Sequence, residues 1–343
     1  MGSGDKLRSQ VEQELREILV RGSAPLMGLN TMYLYHMGFC DRDGNPVDLP
    51  KGKYLRPLLC LAMCAALGGD PEKAIPAAAS LELGHRTSLI FDDIQDKGLQ
   101  RNSRPTVWSI WGSSQAINAG LALSSYGRLA LQRLKDKGVP DSIVLRSCEI
   151  LETATINLCW GQYRDLHLVD VGKVSVEDYV DMIRGKTSTL FGAACELGAL
   201  LASRDEGTMA IARDFGLNMG IAFQIQDDYL GIWGEEEEVG KTANDLIEKK
   251  RTLPVVLAIE MAPGYPSVDA DTIGRFLKQD QIRPEEAEIL KRWMESIGVP
   301  EKVQQMEKTH LLVAEDSLGD LALSPEWNER MHSLLNRAVD RNL

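Results

Sequence analysis

No uninterrupted apolar run in this chain approaches the ~18 to 20 residues needed to cross a bilayer. The amino-terminal stretch MGSGDKLRSQVEQELREIL also lacks the apolar core of a secretory signal. A protein with no transmembrane segment, resident in the cytoplasm, is therefore expected, and the first four residues read as a cloning scar and are set aside. A basic block is missing too: 38 Lys and Arg face 50 Asp and Glu, for a formal charge of -12. That balance argues against nucleic acid as a partner. The six cysteines, Cys40, Cys60, Cys64, Cys148, Cys159 and Cys195, form no CxxC pair and lie mostly inside apolar runs. They read as buried small hydrophobes in a reducing compartment, not as zinc ligands or a disulfide framework. Alternating β-type runs are scarce, and there is no internal repeat or low-complexity tract.

What is present is the balance of a globular protein, 44% hydrophobic and 26% charged over 343 residues. Leu7, Val11, Leu15, Ile18 and Leu19 recur at helical spacing, and similar stripes return along most of the chain, so the fold is expected to be all-α. Gly, Pro, Asp and Asn cluster near 41–53, 67–74, 135–142, 234–241 and 262–271, marking breaks between helices. None is long enough for a domain linker, which predicts one large helical domain spanning 1–343. The acidic run Glu235 to Glu238 reads as solvated charge.

Chemistry concentrates in two acidic patches. Asp92, Asp93 and Asp96 follow the apolar stretch Ser88-Leu89-Ile90-Phe91, and on a helix Asp92 and Asp96 project from one face. Asp227 and Asp228 close a second apolar helical run, FGLNMGIAFQIQDDYLGIW. Acids beside apolar segments repel and resist desolvation unless cations hold them, and hard oxygen donors that keep some water suit Mg²⁺. Two such patches facing each other would form a site. Bound Mg²⁺ would reverse the local field of an acidic protein and admit a diphosphate.

With these residues in hand, the chain resembles the trans-isoprenyl diphosphate synthase (polyprenyl synthetase) family from about residue 50 to 260. Gly52-Lys53-Tyr54-Leu55-Arg56-Pro57 is similar to that family's GKxxRP motif, and Asp92 to Asp96 to its first aspartate-rich motif. Arg101, Pro105-Thr106, Gly161-Gln162 with Asp165, Lys186-Thr187, Phe223-Gln224 with Asp227-Asp228, Gly240-Lys241 with Asp245, and Lys250 follow in the family's order. The resemblance implies an all-α bundle of the isoprenoid synthase type with a central cavity. It also implies head-to-tail condensation of an allylic diphosphate with isopentenyl diphosphate, a homodimer, and three Mg²⁺ ions bound with substrate. Asp92, Asp96 and Asp227 would hold metal, while Arg101, Lys186 and Lys241 would contact the allylic diphosphate. Lys53, Arg56 and His85 would bind isopentenyl diphosphate, with Asn102 and Lys250 also in the substrate site. Thr187 and Gln224 would serve catalysis by shielding an allylic carbocation with their dipoles, and Lys186 would be catalytic through its contact with the diphosphate. Read alone, Lys53 and Arg56 could be solvated helix-start charges, and His85 a hydrogen-bonded core residue. Trp108, Trp111 and Trp233 read as packing residues.

Two positions depart from the family pattern. Asn102 stands where a second Arg is common, and Gly231 where the second motif commonly has its last Asp. Thr87 and Ser88, one turn before Asp92, are small where aromatics would block a growing chain, which favours geranylgeranyl diphosphate or longer. Two other readings stay open: a terpene synthase acting on an allylic diphosphate alone, and a non-catalytic partner subunit.

Overall fold

The computed structural model describes residues 3–20, 28–47, 49, 52–168, 174–202, 205–234, 245–247, 250–262, 279 and 282–339. Regular structure among them is helical apart from one two-stranded hairpin and one isolated bridge. Contacts divide the chain into two compact units, Met1–Thr153 with Ala193–Ala210, and Ala154–Gly192 with Ile211–Leu343.

The first unit holds α1 (Ser3–Val20), α2 (Leu29–His36), α3 (Leu55–Ala66), α4 (Pro71–Gln95), α5 (Val107–Trp111) and α6 (Ser113–Gln132). In α1 the expected stripe is the buried one: Val11, Leu15, Ile18 and Leu19 are at most 5% exposed. The start of α4 is set by Asp70, whose side chain accepts from the Glu72 N–H, with Pro71 in the first turn, where its missing N–H costs nothing. Every residue from Ala74 to Leu83 is buried. A stretch buried on every side must be surrounded, and α4 packs against α1, α3 and α6. Small residues of α6 permit close approach: Ser80 Oγ donates to the Gly127 carbonyl at 2.7 Å, and a Cβ on Gly120 would meet Phe91 Cζ at 2.8 Å.

Three helices, α7 (Asp141–Leu168), α9 (Thr189–Ala202) and α10 (Glu206–Trp233), carry the chain from one unit into the other without interruption. The second unit also holds α8 (Val176–Ile183), α11 (Leu253–Met261), α12 (Pro284–Ser296), α13 (Val299–Asp320) and α14 (Pro325–Val339). Its core gathers Tyr179, Ile183, Ile221, Ile225, Leu253, Val256, Leu290 and Trp293.

The hairpin is an addition to what the residue pattern predicts. Gln100–Arg101 pairs with Arg104–Pro105 as β1 and β2, and the two residues between, Asn102 and Ser103, have φ of 51° and 58°. Two positive φ values in a two-residue loop are the signature of a type I′ turn, for which Asn is among the best residues. Four of the six cysteines are buried as expected, whereas Cys148 is half-buried and Cys159 exposed. Trp108, Trp111 and Trp233 do pack: Trp108 donates to the Gly98 carbonyl at 2.8 Å, Trp111 meets Tyr35 edge-on, and Trp233 lies against Tyr229.

Candidate active site

In the first unit, α4 ends on the aspartates. Asp93 turns inward, 4% exposed, and accepts from Arg101 Nε at 2.8 Å, while Asp92 accepts from Nη2 of the same guanidinium at 3.0 Å. Burial pushes Asp93 up to about 6 against the pull of Arg101. Asp92 keeps 21% of its side chain exposed and Asp96, one turn on at the helix C-cap, is exposed. Arg101 thus lies against Asp92 and Asp93. Asn102, by contrast, sits at the exposed tip of the hairpin turn.

Beside these acids lies a concentration of positive charge. Arg56 and His85 lie close to Arg86. Arg86 is 9% exposed and donates from Nε to Glu82 at 2.7 Å. Burial first, then the charges of Arg56, Arg86 and Arg101, push His85 well below its ordinary value. His36 shares its ring nitrogen Nε2 with the Arg86 carbonyl at 2.9 Å, and burial and Arg86 bring it down to about 3. Burial lowers even Arg56, to about 10, with Glu82 opposing. Lys53 is exposed just before α3. The Glu82/Arg86 pair was legible as an i, i+4 ion pair inside an otherwise apolar helix. His36 had no local signal.

The second unit builds its patch on α10. Asp228 is 5% exposed and accepts from three donors: Tyr179 OH, the Leu253 N–H at 2.9 Å and Gln224 Nε2 at 2.9 Å. Burial nonetheless pushes Asp228 up to about 7. The preceding residue, Asp227, is half-buried. Gln224 in turn accepts from Thr187 Oγ1 at 2.7 Å, so the expected pair Thr187 and Gln224 is one hydrogen-bonded chain with Asp228. Tyr179, 49 positions from Asp228, carried no sequence signal.

Thr187 and Lys186 stand on a π-helical turn, Arg184–Ser188, a local widening that often marks functional positions. Two glycines make room for it. A Cβ on Gly161 of α7 would lie 2.0 Å from the Lys186 amide nitrogen, and one on Gly220 of α10 would lie 2.6 Å from Ser188 Cα. Lys186 Nζ reaches Asp165 at 2.6 Å. Lys250 donates to Asp245 at 2.8 Å. Lys241 and the run Glu235 to Glu238 lie outside the described residues.

Asp92 and Asp96 form a hard-oxygen pair at the carbonyl end of α4, where the helix dipole adds negative charge. Among the described residues no three acidic, His or Cys side chains converge into a preformed cage. Mg²⁺ characteristically takes one or two carboxylates and completes its shell with water and substrate phosphate. The donor set therefore fits an ion that completes its shell with water and a bound anion.

The chain matches the Polyprenyl synthetase family over residues 47–290, and it belongs to that family. Over 232 residues it is 41% identical to the geranylgeranyl diphosphate synthase of Mycobacterium tuberculosis, covering 67% of this chain and 65% of that relative. The chain thus spans just under two thirds of that relative's length. It is 33% identical to the geranylfarnesyl diphosphate synthase of Aeropyrum pernix over 84% of this chain and 90% of the relative. The crystal structure of a polyprenyl synthetase from Streptomyces coelicolor A3(2) superposes with a TM-score of 0.88 at 31% identity, covering 98% of both chains. The all-α isoprenoid synthase fold follows from that likeness.

Proposed function

We propose that this protein is a trans-prenyltransferase that joins an allylic diphosphate to isopentenyl diphosphate, head to tail, with Mg²⁺. The observation that carries this reading is the way both Asp-Asp pairs divide. The second acid of each is buried and hydrogen-bonded, which leaves Asp92 and Asp227 as the acids nearer solvent, suited to metal-bound diphosphate. Family membership and relatives whose names are those of geranylgeranyl and geranylfarnesyl diphosphate synthases support it.

In this reading Asp92, Asp96 and Asp227 hold Mg²⁺, which when bound neutralises the diphosphate and makes it a leaving group. Lys186 adds a charge-assisted hydrogen bond to the departing oxygens. Arg101, which donates to both Asp92 and Asp93, is held where it contacts the allylic diphosphate. The Thr187 hydroxyl and Gln224 carbonyl, fixed by their mutual bond, present oriented dipoles to an allylic cation. Arg56 and Arg86 form a cationic nest for the second diphosphate, the neutral imidazole of His85 beside them binds it by hydrogen bonding, and Lys53 at the edge attracts it. The released diphosphate takes the final proton, so no side chain is assigned as base.

The chain length proposed is geranylgeranyl or longer. Ser88 and Thr87 are small, and Ser88 Oγ is turned back onto the His85 carbonyl at 2.8 Å. Ser88→Phe should shorten the product, and unchanged length would remove this part of the reading. We assign a homodimer to the exposed apolar face of α7, where Leu145, Ile156, Trp160 and Tyr163 are 58 to 71% exposed on one side of a single helix. No described helix is long and apolar enough to cross a membrane.

The deciding experiment incubates the protein with Mg²⁺ and farnesyl diphosphate, with and without labelled isopentenyl diphosphate, and identifies products by mass spectrometry. An elongated diphosphate requiring both substrates and abolished by chelator is expected. A hydrocarbon or alcohol formed from the allylic substrate alone would instead identify a terpene synthase, and no turnover across primers a non-catalytic subunit.

A further inference from the structure

Gly52 and Tyr54, on either side of Lys53, both adopt positive φ, 81° and 50°. Glycine takes the first readily, and a Cβ there would also come within 3.2 Å of Arg86 Nη2, so the loop lies directly against a cation of the nest. Tyr54 takes the second under strain, and such a residue persists only where its surroundings over-determine it. Tyr54 is 3% exposed and its hydroxyl finds no hydrogen-bond partner among the described residues, so its conformation is held by packing and by what meets the ring. The group that meets the ring is Arg8 of α1, whose guanidinium carbon lies 5.5 Å from the ring centroid. Arg8 Nη2 also donates to the Gly52 carbonyl at 2.9 Å. One side chain thus grips the residues on both sides of Lys53.

Helix α1 lies outside residues 47–290, the span over which the chain matches its family, yet it reaches 44 positions along the chain into the motif. Its docking does not depend on Arg8. Lys6 pairs with Glu72 at 2.9 Å, Arg133 donates to Glu14 and Glu17 at 3.2 and 2.9 Å, and Val11, Leu15, Ile18 and Leu19 are buried. The grip of Arg8 on the loop is therefore additional to what seats the helix. A long lysine side chain loses rotamer freedom when it binds, and a backbone already fixed removes part of that cost. We propose that Arg8 is a positioning residue for the second diphosphate site: by holding Gly52 and Tyr54 it fixes the backbone from which Lys53 reaches a diphosphate seated on Arg56 and Arg86. Arg8 acts through the loop, without contact to substrate. This inference rests on the reading of Lys53 and Arg56 as contacts of isopentenyl diphosphate.

The test measures isopentenyl diphosphate binding to the full chain by calorimetry with EDTA present, so that no Mg²⁺ bridges the ligand to the aspartates. Farnesyl diphosphate binding with Mg²⁺ and thermal melts by circular dichroism are measured beside it. Arg8→Ala should weaken isopentenyl diphosphate binding about 2- to 10-fold, the range for one lost hydrogen bond, with farnesyl diphosphate binding and melting temperature unchanged. Arg8→Lys, which keeps a donor and a positive charge, should recover most of that affinity. Lys53→Ala should lose about 10- to 100-fold, as for a charge-assisted contact. If Lys53→Ala loses affinity while Arg8→Ala binds as the unaltered protein does, the role of Arg8 is overturned and the reading of the site stands. If Lys53→Ala itself binds normally, that reading falls and the role of Arg8 with it. An equal loss for both diphosphates in Arg8→Ala would mark a purely structural residue and overturn the proposal. Should Arg8→Ala not fold, Arg8→Met, which keeps a straight helix-forming side chain without donor or charge, is judged by the same outcomes.

Discussion

In α4 the acid after Asp92 is Asp93, 4% exposed and bonded to Arg101; in α10 the acid after Asp227 is Asp228, 5% exposed and bonded to Tyr179, Gln224 and the Leu253 N–H. One partner is a cation eight residues along the chain, on a hairpin following the helix. The others are neutral donors, two of which come from α8 and the start of α11. A charged partner lets the buried acid stay ionised, whereas neutral donors in a dry interior do so less well, which accords with Asp93 near 6 and Asp228 near 7. An Asp-Asp pair on a helix therefore need not act as two equal ligands. The buried member organises the neighbouring elements, and its neighbour faces the solvent side.

The largest effect should come from breaking the support of the second patch. Gly161→Ala drives a methyl to 2.0 Å from the Lys186 backbone, which nothing short of a helix shift relieves. A loss of more than about 3 kcal/mol in stability, beyond ordinary overpacking, is expected in denaturant unfolding. A wild-type midpoint would show that the π turn is not held by this contact. Next in size is the dependence on pH. Asp93 and Asp228 both bind protons more tightly folded than unfolded, so their contribution is fully present below about pH 4 and is lost as pH rises through about 6 and about 7. His36, held down to about 3, works the other way: its contribution is present above about pH 6.5 and lost as pH falls. Carboxyl-carbon NMR should find Asp93 and Asp228 both titrating well above the ordinary carboxylate range, and ordinary values for either would contradict its burial. Smaller still is the hairpin. Asn102→Arg restores the charge common in the family but places a long side chain at φ 51°, at a cost of roughly 1 to 2 kcal/mol, whereas Asn102→Gly should be nearly neutral in thermal melts.

Much of the first patch was legible in the sequence because its geometry is local. Asp92 and Asp96 are one turn apart on one helix, and Arg101 follows within a few residues. The all-α fold was legible for the same reason, since periodicity in α1 shows its buried face directly. The hairpin was missed because its strands are two residues each, too short for alternation, although Asn102-Ser103 is a turn signal in hindsight. The second patch resisted because its partners are distant: Tyr179 and Leu253 meet Asp228 only in the folded chain.

The central claim, that one acid of each pair serves the reaction and the other the fold, is tested most directly by comparing Asp227→Asn with Asp228→Asn for condensation rate and melting temperature in the same preparations. Asp227→Asn should lose about 10²- to 10³-fold in kcat, as expected when one transition-state charge partner is removed, with its melting temperature kept. Asp228→Asn should melt several degrees lower, by about 4 to 8 °C for each kcal/mol lost in a small domain and less in a chain of this size. A stable, inactive Asp228→Asn beside an active Asp227→Asn would contradict the account.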